Sequence, residues 1–162
     1  MTAAWDTTLV SRLYPGGPLE GLLLERVREG EPVAITAPTV MEVVRGLQAS
    51  AASRPAMNAT LDWIIRLVSS ELVEVLSLGR TAAILAGRLR AMQPTPPTGA
   101  RRKATRPEQR AGWVLDIQIA ACAWTHGRDV ATENCRDFEA LSKLIARLHP
   151  DLPLRVASSP LS

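Results

Sequence analysis

Four acidic residues, Asp6, Glu42, Asp116 and Asp137, fall at or near places where the sequence predicts a helix to begin. In an open parallel sheet the carboxyl ends of all strands face one rim and the following helices start there, so such residues converge even when far apart in sequence. Each acid has a local alternative to weigh. Asp6 can cap a helix by accepting from the amides of Thr8 or Leu9. Glu42 completes Thr39-Val40-Met41-Glu42, a capping-box pattern, and has Arg45 three residues on as an ion-pair partner. Asp137 can cap the helix that follows it, with Asn134 competing for that duty. Asp116 has no such outlet. At helical spacing it shares a face with Ile119, Ala120 and Ala123, while Gln118 and Thr125 lie on the far side. An ionised carboxylate on that face is costly unless paired, and only a helix-start position would relieve part of the cost through the macrodipole.

Four acids on one rim repel one another, whereas Ser or Thr would cap as well without repulsion. The set therefore asks for a cation. Mg²⁺ or Mn²⁺ prefers carboxylate oxygens, keeps several waters and activates one of them for attack at phosphorus. The chemistry this predicts is hydrolysis of a phosphodiester, with water attacking in line and no covalent enzyme intermediate.

The elements that must position these acids read as alternating strand and helix. Short β-prone runs occur at 3–5, 32–36, 72–76, 129–132 and 154–157, separated by longer helical patterns, which predicts a parallel sheet with helices on its faces. A short helix follows Asp6, and Tyr14-Pro15-Gly16-Gly17-Pro18 forms a turn before helical spacing resumes over 19–28. Helices are further expected from about Val40, over 55–70 with Leu61, Ile64, Ile65 and Val68 on one stripe, and over 78–92. Two more are expected over 113–125, apolar nearly all round, and over 138–148. Between them, 93–112 reads as a mobile basic loop: Pro94, Pro96, Pro97, Gly99 and Pro107 oppose regular structure, and Arg101, Arg102, Lys103, Arg106 and Arg110 face only Glu108. This loop either contacts RNA phosphates or is merely solvated. The tryptophans Trp5, Trp113 and Trp124 sit in apolar contexts and are expected in the core, with Trp63 the exception.

The chain has 162 residues, enough for one domain of ordinary size, here 1–157, with 158–162 expected to fray. Hydrophobic residues at 46% with charged residues at 22% exclude wholesale disorder. The longest apolar runs are too short to span a bilayer, and the start Met1-Thr2-Ala3-Ala4-Trp5-Asp6 lacks a secretory pattern, so a cytoplasmic protein with no membrane partner is expected. Cys122 and Cys135 fit that compartment as free thiols, and two Cys with two His lack zinc-ligand spacing. Net charge is +3, which permits contact with a polyanion without requiring it.

With those residues in view, four segments are similar to the PIN-domain family, in particular VapC-type toxins of bacterial toxin-antitoxin systems: Asp6-Thr7-Thr8, Thr39 to Gly46, Asp116 to Ala123, and Val130 to Phe138 with its Thr132-x-Asn134-x-x-Asp137-Phe138 pattern. The resemblance covers nearly the whole chain. It implies an α/β three-layer sandwich with a mostly parallel five-stranded sheet, and a Mg²⁺- or Mn²⁺-dependent endoribonuclease acting as a homodimer and neutralised by a cognate antitoxin. It also implies that Asp6 and Asp116 hold the metal most directly, that Glu42 and Asp137 bind it through water or orient the nucleophile, and that Thr7, Thr132 and Asn134 line the same site. The family's usual Asp-Thr-Asn reads Asp6-Thr7-Thr8 here, which alters a secondary hydrogen bond and keeps the metal ligand. A phosphatase of the haloacid-dehalogenase type would need a second Asp where Thr8 stands. A receiver domain would need an acidic pair near the first strand and a lysine late in the sheet, and the late strand here offers no lysine. The remaining alternative is a catalytically silent PIN-like module that binds RNA or protein.

Overall fold

A computed structural model describes residues 3–97 and 105–158. Five short strands, β1 (Ala3–Trp5), β2 (Val33–Thr36), β3 (Val73–Leu76), β4 (Asp129–Ala131) and β5 (Val156–Ala157), form one sheet in the order β3-β2-β1-β4-β5. Every pairing is parallel, with Ala4 level with Ala34 on one side and with Val130 on the other. The sheet expected as mostly parallel is therefore parallel throughout.

Strand residues alternate between two cores because successive side chains point to opposite faces. Trp5, Val33, Ile35, Val73 and Ala131 face the core covered by α1 (Thr7–Val10), α2 (Pro18–Arg28), α3 (Ala37–Ser53) and α4 (Met57–Val68). Ala4, Ala34, Leu76 and Val130 face the core covered by α5 (Arg80–Met92), α6 (Arg106–Thr125) and α7 (Cys135–Leu148). Three layers result. The inner face of α7 buries Phe138, Leu141, Leu144 and Ile145, the 3.6-residue stripe visible in its sequence. In α4 the buried stripe is Leu61, Ile64 and Leu67, while Ile65, expected on it, is 42% exposed.

Three helix starts correct the sequence reading: α7 begins at Cys135 and not near Phe138, so Asp137 lies in its first turn and does not cap it, and the other two corrections are at prolines. Residues 106–112, expected as loop because of Pro107, are the first two turns of α6. Thr105 caps that helix in a capping box with Glu108, and Pro107 occupies its first turn, where no backbone N–H is needed. Likewise α3 starts at Ala37 with Pro38 in its first turn and Thr36 as the cap, three residues before the expected Thr39 cap. The capping box expected for Glu42 is thus absent, since Glu42 lies in the second turn of α3. Gly127 follows the last turn of α6 at φ +65°, the left-handed position that favours glycine.

Candidate functional site

The carboxyl ends of β1, β2 and β4 lie along one edge of the sheet, and the first acid leaves the sheet there. Asp6 directly follows β1, and its backbone N–H donates to the carbonyl of Ala131 at the end of β4 (3.1 Å). As the N-cap of α1, its Oδ1 accepts from the amides of Thr8 (3.0 Å) and Leu9 (3.2 Å) and from the Thr8 hydroxyl (2.6 Å). Its Oδ2 accepts from the Thr132 hydroxyl at 2.6 Å. The side chain is almost fully buried, and burial pushes the carboxyl above its ordinary pKa even though the donors from Thr132, Thr8 and Leu9 pull the other way. Asp6 is thus both the cap that its position allows and a carboxylate whose charge is disfavoured by burial.

Thr132 follows β4 and extends this connection. Its hydroxyl accepts from the backbone N–H of Asn134 at 2.8 Å. Asn134 is the N-cap position of α7 but makes no cap bond with its side chain. Its Nδ2 donates instead to Asp137 (3.0 Å) and, longer, to Asp116 (3.4 Å). Asp137 sits in the first turn of α7, 1% exposed, and its second oxygen, Oδ1, is buried with no hydrogen-bond partner among the described residues. Asp116 is 5% exposed and lies in the middle of α6, because the helix begins seven residues earlier than the sequence suggested. The macrodipole therefore cannot relieve its burial, and its contact with Asn134 carries more weight. Asp6, Asp116 and Asp137 are joined through two side chains, Thr132 and Asn134.

Glu42 is placed differently. Its two oxygens accept from Arg45 Nε (3.0 Å) and Nη2 (2.7 Å), one turn away on the same helix. The expected local ion pair therefore forms. Thr7, in the first turn of α1, has a buried hydroxyl without a partner. Arg106 and Arg110 are exposed on the first turns of α6, and Arg101, Arg102 and Lys103 lie outside the described residues. Among the tryptophans, Trp5 and Trp113 are buried, whereas Trp63 and Trp124 are half-buried.

A hard divalent cation needs oxygen ligands and is commonly held by one or two carboxylates, with water completing its shell. Asp116 and Asp137, which share one donor nitrogen and leave Oδ1 of Asp137 unpartnered, are donors of that kind. Asp6 adds Oδ2, whose only hydrogen bond among the described residues is from Thr132. No three His, Cys, Asp or Glu side chains among the described residues are grouped to hold a metal by themselves, so the fit is to a cation bound with water and substrate oxygens. A separate cleft of about 580 Å³ opens at the far end of α6, beside Trp124, Arg128, Asp129, Asp151 and Arg155. It lies roughly 12 Å along the helix axis from Asp116, and its two guanidinium groups are balanced by two carboxylates.

Thr8 and Glu133 are functional candidates that the acid pattern did not single out. The Thr8 hydroxyl accepts from the backbone N–H of Glu133 at 3.0 Å, and the Glu133 side chain pairs with Arg12. The available signal was the position of Thr8, a hydroxyl residue two places after an Asp at a helix start.

No protein-family model matches the sequence, and no curated protein does. Solved structures do match. VapBC2 from Rickettsia felis, bound to a DNA fragment from the promoter, aligns with 98% of this chain and 98% of its own at 16% identity and a TM-score of 0.62. FitAcB from Neisseria gonorrhoeae aligns with 98% of this chain and 96% of its own at 22% identity and a TM-score of 0.58. VapBC-5 from Mycobacterium tuberculosis, of the VapBC family of toxin-antitoxin systems, aligns with 98% and 97% at 24% identity and a TM-score of 0.54. Likeness at such identities is a likeness of fold, and it bears out the PIN-like α/β architecture.

Proposed function

We propose that this chain is a Mg²⁺- or Mn²⁺-dependent endoribonuclease, the toxin of a toxin-antitoxin pair. The observation that carries this reading is the hydrogen-bonded set of three buried carboxylates, Asp6, Asp116 and Asp137, with one oxygen left unpartnered. Burying a carboxylate whose second oxygen has no hydrogen-bond partner among the described residues, as at Asp137, is expensive, and a bound cation offsets that cost. The fold likeness to toxin-antitoxin complexes supports the same assignment.

One or two of Asp6 (through Oδ2), Asp116 and Asp137 would hold the cation directly and the rest through water, with Asn134 and Thr132 setting their orientation. Such a cation supplies an activated water and neutralises charge that develops on the phosphodiester. Glu42 is the fourth acid, available to orient the nucleophile once Arg45 yields it. Arg106 and Arg110, with Arg101, Arg102 and Lys103, would contact RNA phosphates by charge and bidentate hydrogen bonding. Exposed apolar side chains, among them Met41, Ile65 and Ile84, leave surface for a second copy of the chain and for an antitoxin. Among the described residues, no helix is long and apolar enough to cross a membrane.

The second reading, a silent RNA- or protein-binding module, is favoured by one observation, the closure of both Glu42 oxygens by Arg45. The deciding experiment is cleavage of a mixed RNA pool by the purified chain, free of antitoxin, with Mn²⁺ or EDTA, beside Asp116→Asn. Metal-dependent cleavage that vanishes in the variant supports the nuclease. Folded wild type and variant that are equally inert on this pool and on cellular RNA would overturn it in favour of the binding module.

A further inference from the structure

We propose that Thr8 is a positioning residue that fixes the Asp6 carboxylate and couples it to the loop between β4 and α7; this rests on the metal-site reading above. A hydroxyl has one hydrogen to donate, and a backbone N–H can only donate. The Glu133 N–H points at the Thr8 oxygen at 3.0 Å, so the Thr8 proton goes to Asp6 Oδ1 at 2.6 Å. By the same logic the Asn134 N–H donates to the Thr132 oxygen at 2.8 Å, and the Thr132 proton goes to Asp6 Oδ2 at 2.6 Å. One carboxylate is thus tied by two threonine hydroxyls to two consecutive backbone amides of the same loop.

The two ties differ in what they leave free. Oδ1 already accepts from three donors, the Thr8 amide, the Thr8 hydroxyl and the Leu9 amide. A carboxylate oxygen has about two lone-pair directions, so Oδ1 is saturated. Among the described residues Oδ2 accepts only from Thr132, which keeps a direction open for a cation. Thr8 therefore selects which oxygen Asp6 presents. Through Glu133 it also holds the stretch whose next residue, Asn134, contacts Asp116 and Asp137. The Arg12–Glu133 ion pair ties the same loop to the residues just after α1 from the solvent side.

The test is Mn²⁺ binding by calorimetry, without RNA, on wild type, Thr8→Val, Thr8→Ala and Thr8→Ser, with amide exchange at Glu133 followed by NMR. Loss of a residue that orients a metal ligand typically weakens metal affinity by about tenfold or more. That loss is expected in Thr8→Val and Thr8→Ala together with faster Glu133 exchange, and Thr8→Ser is expected to restore both. Thr8→Ala serves if the valine variant does not fold. Unchanged Mn²⁺ affinity in a folded variant whose Glu133 amide is deprotected would overturn the proposal and leave the metal site standing. A wild type that binds no Mn²⁺ would instead remove the metal-site reading, and this inference with it.

Discussion

Thr132 donates its hydroxyl proton to Asp6 Oδ2 at 2.6 Å, joining two residues 126 positions apart in the chain. The bond exists because β1 and β4 are neighbours in the sheet and end at the same level, Trp5 beside Ala131. It turns two strand ends into one polar surface, on which Asn134 then reaches Asp137 and Asp116. Stability and metal binding should be coupled there, since each carboxylate is costly to bury without a cation.

Asp137→Asn removes a buried charge whose Oδ1 has no partner. In EDTA the variant should melt higher by about 2–4 °C, the equivalent of ~1 kcal/mol for a domain of this size. Mn²⁺ should raise the melting temperature of the wild type and not that of the variant. A variant that melts lower in EDTA would mean that the ionised group is structurally required.

Trp113 of α6 is fully buried in the core that α5 and α7 also line, and its Nε1 donates to the Gln93 carbonyl at 2.8 Å. Trp113→Ala should cost about 3–5 kcal/mol in urea denaturation. Trp113→Phe keeps most of the apolar contact and should lose about 1 kcal/mol with the hydrogen bond. Equal losses in the two variants would show that packing of the indole ring, and not burial of an aromatic, dominates.

Burial pushes the Cys122 thiol up to about 11. An acid whose folded pKa lies above its unfolded value keeps its proton in the folded state after the unfolded chain has lost it, so the folded state binds more protons in that window. Stability should hold below pH 9 and fall as pH rises from about 9 to 11. Cys122→Ala removes this contribution, so the difference between wild-type and variant stability should narrow or widen between pH 8 and 10.5 in the direction of a weaker wild type. A difference that stays constant with pH would show that Cys122 ionises equally in both states.

Two glycines with open space around them should respond oppositely to alanine. Gly127 holds φ +65° with nothing within 4 Å of a built Cβ, so Gly127→Ala carries backbone strain alone and should cost roughly 1 kcal/mol. Gly46 lies inside α3, also with nothing within 4 Å, and Gly46→Ala should stabilise by up to about 1 kcal/mol. Thermal melts of both variants decide the matter, and a shift of the same sign in both would contradict it.

The elements were largely legible in the sequence. The run at Val33 to Thr36 and the stripe Phe138, Leu141, Leu144 and Ile145 record locally which faces are buried, and periodicity is a local signal. The helix starts were less legible, for one physical reason. Pro38 and Pro107 look like breakers in a sequence window, yet both sit in first turns, where a missing N–H costs nothing. That single ambiguity misplaced the start of α6 and made Asp116 look like a helix-start residue.

For the site, the sequence by itself determined which residues are candidates: acids near the starts of helices, and one, Asp116, on an apolar helix face. The pairing of Glu42 with Arg45 was also local, because a partner one helical turn away is reached at little entropic cost. Only the tertiary structure decided which acids are joined. The strand order β3-β2-β1-β4-β5 puts the end of β4 beside Asp6, and the packing of α6 against α7 brings Asp116 to Asn134. Those contacts span 126 and 18 residues and depend on how whole elements pack, and residue spacing along the chain carries no record of that.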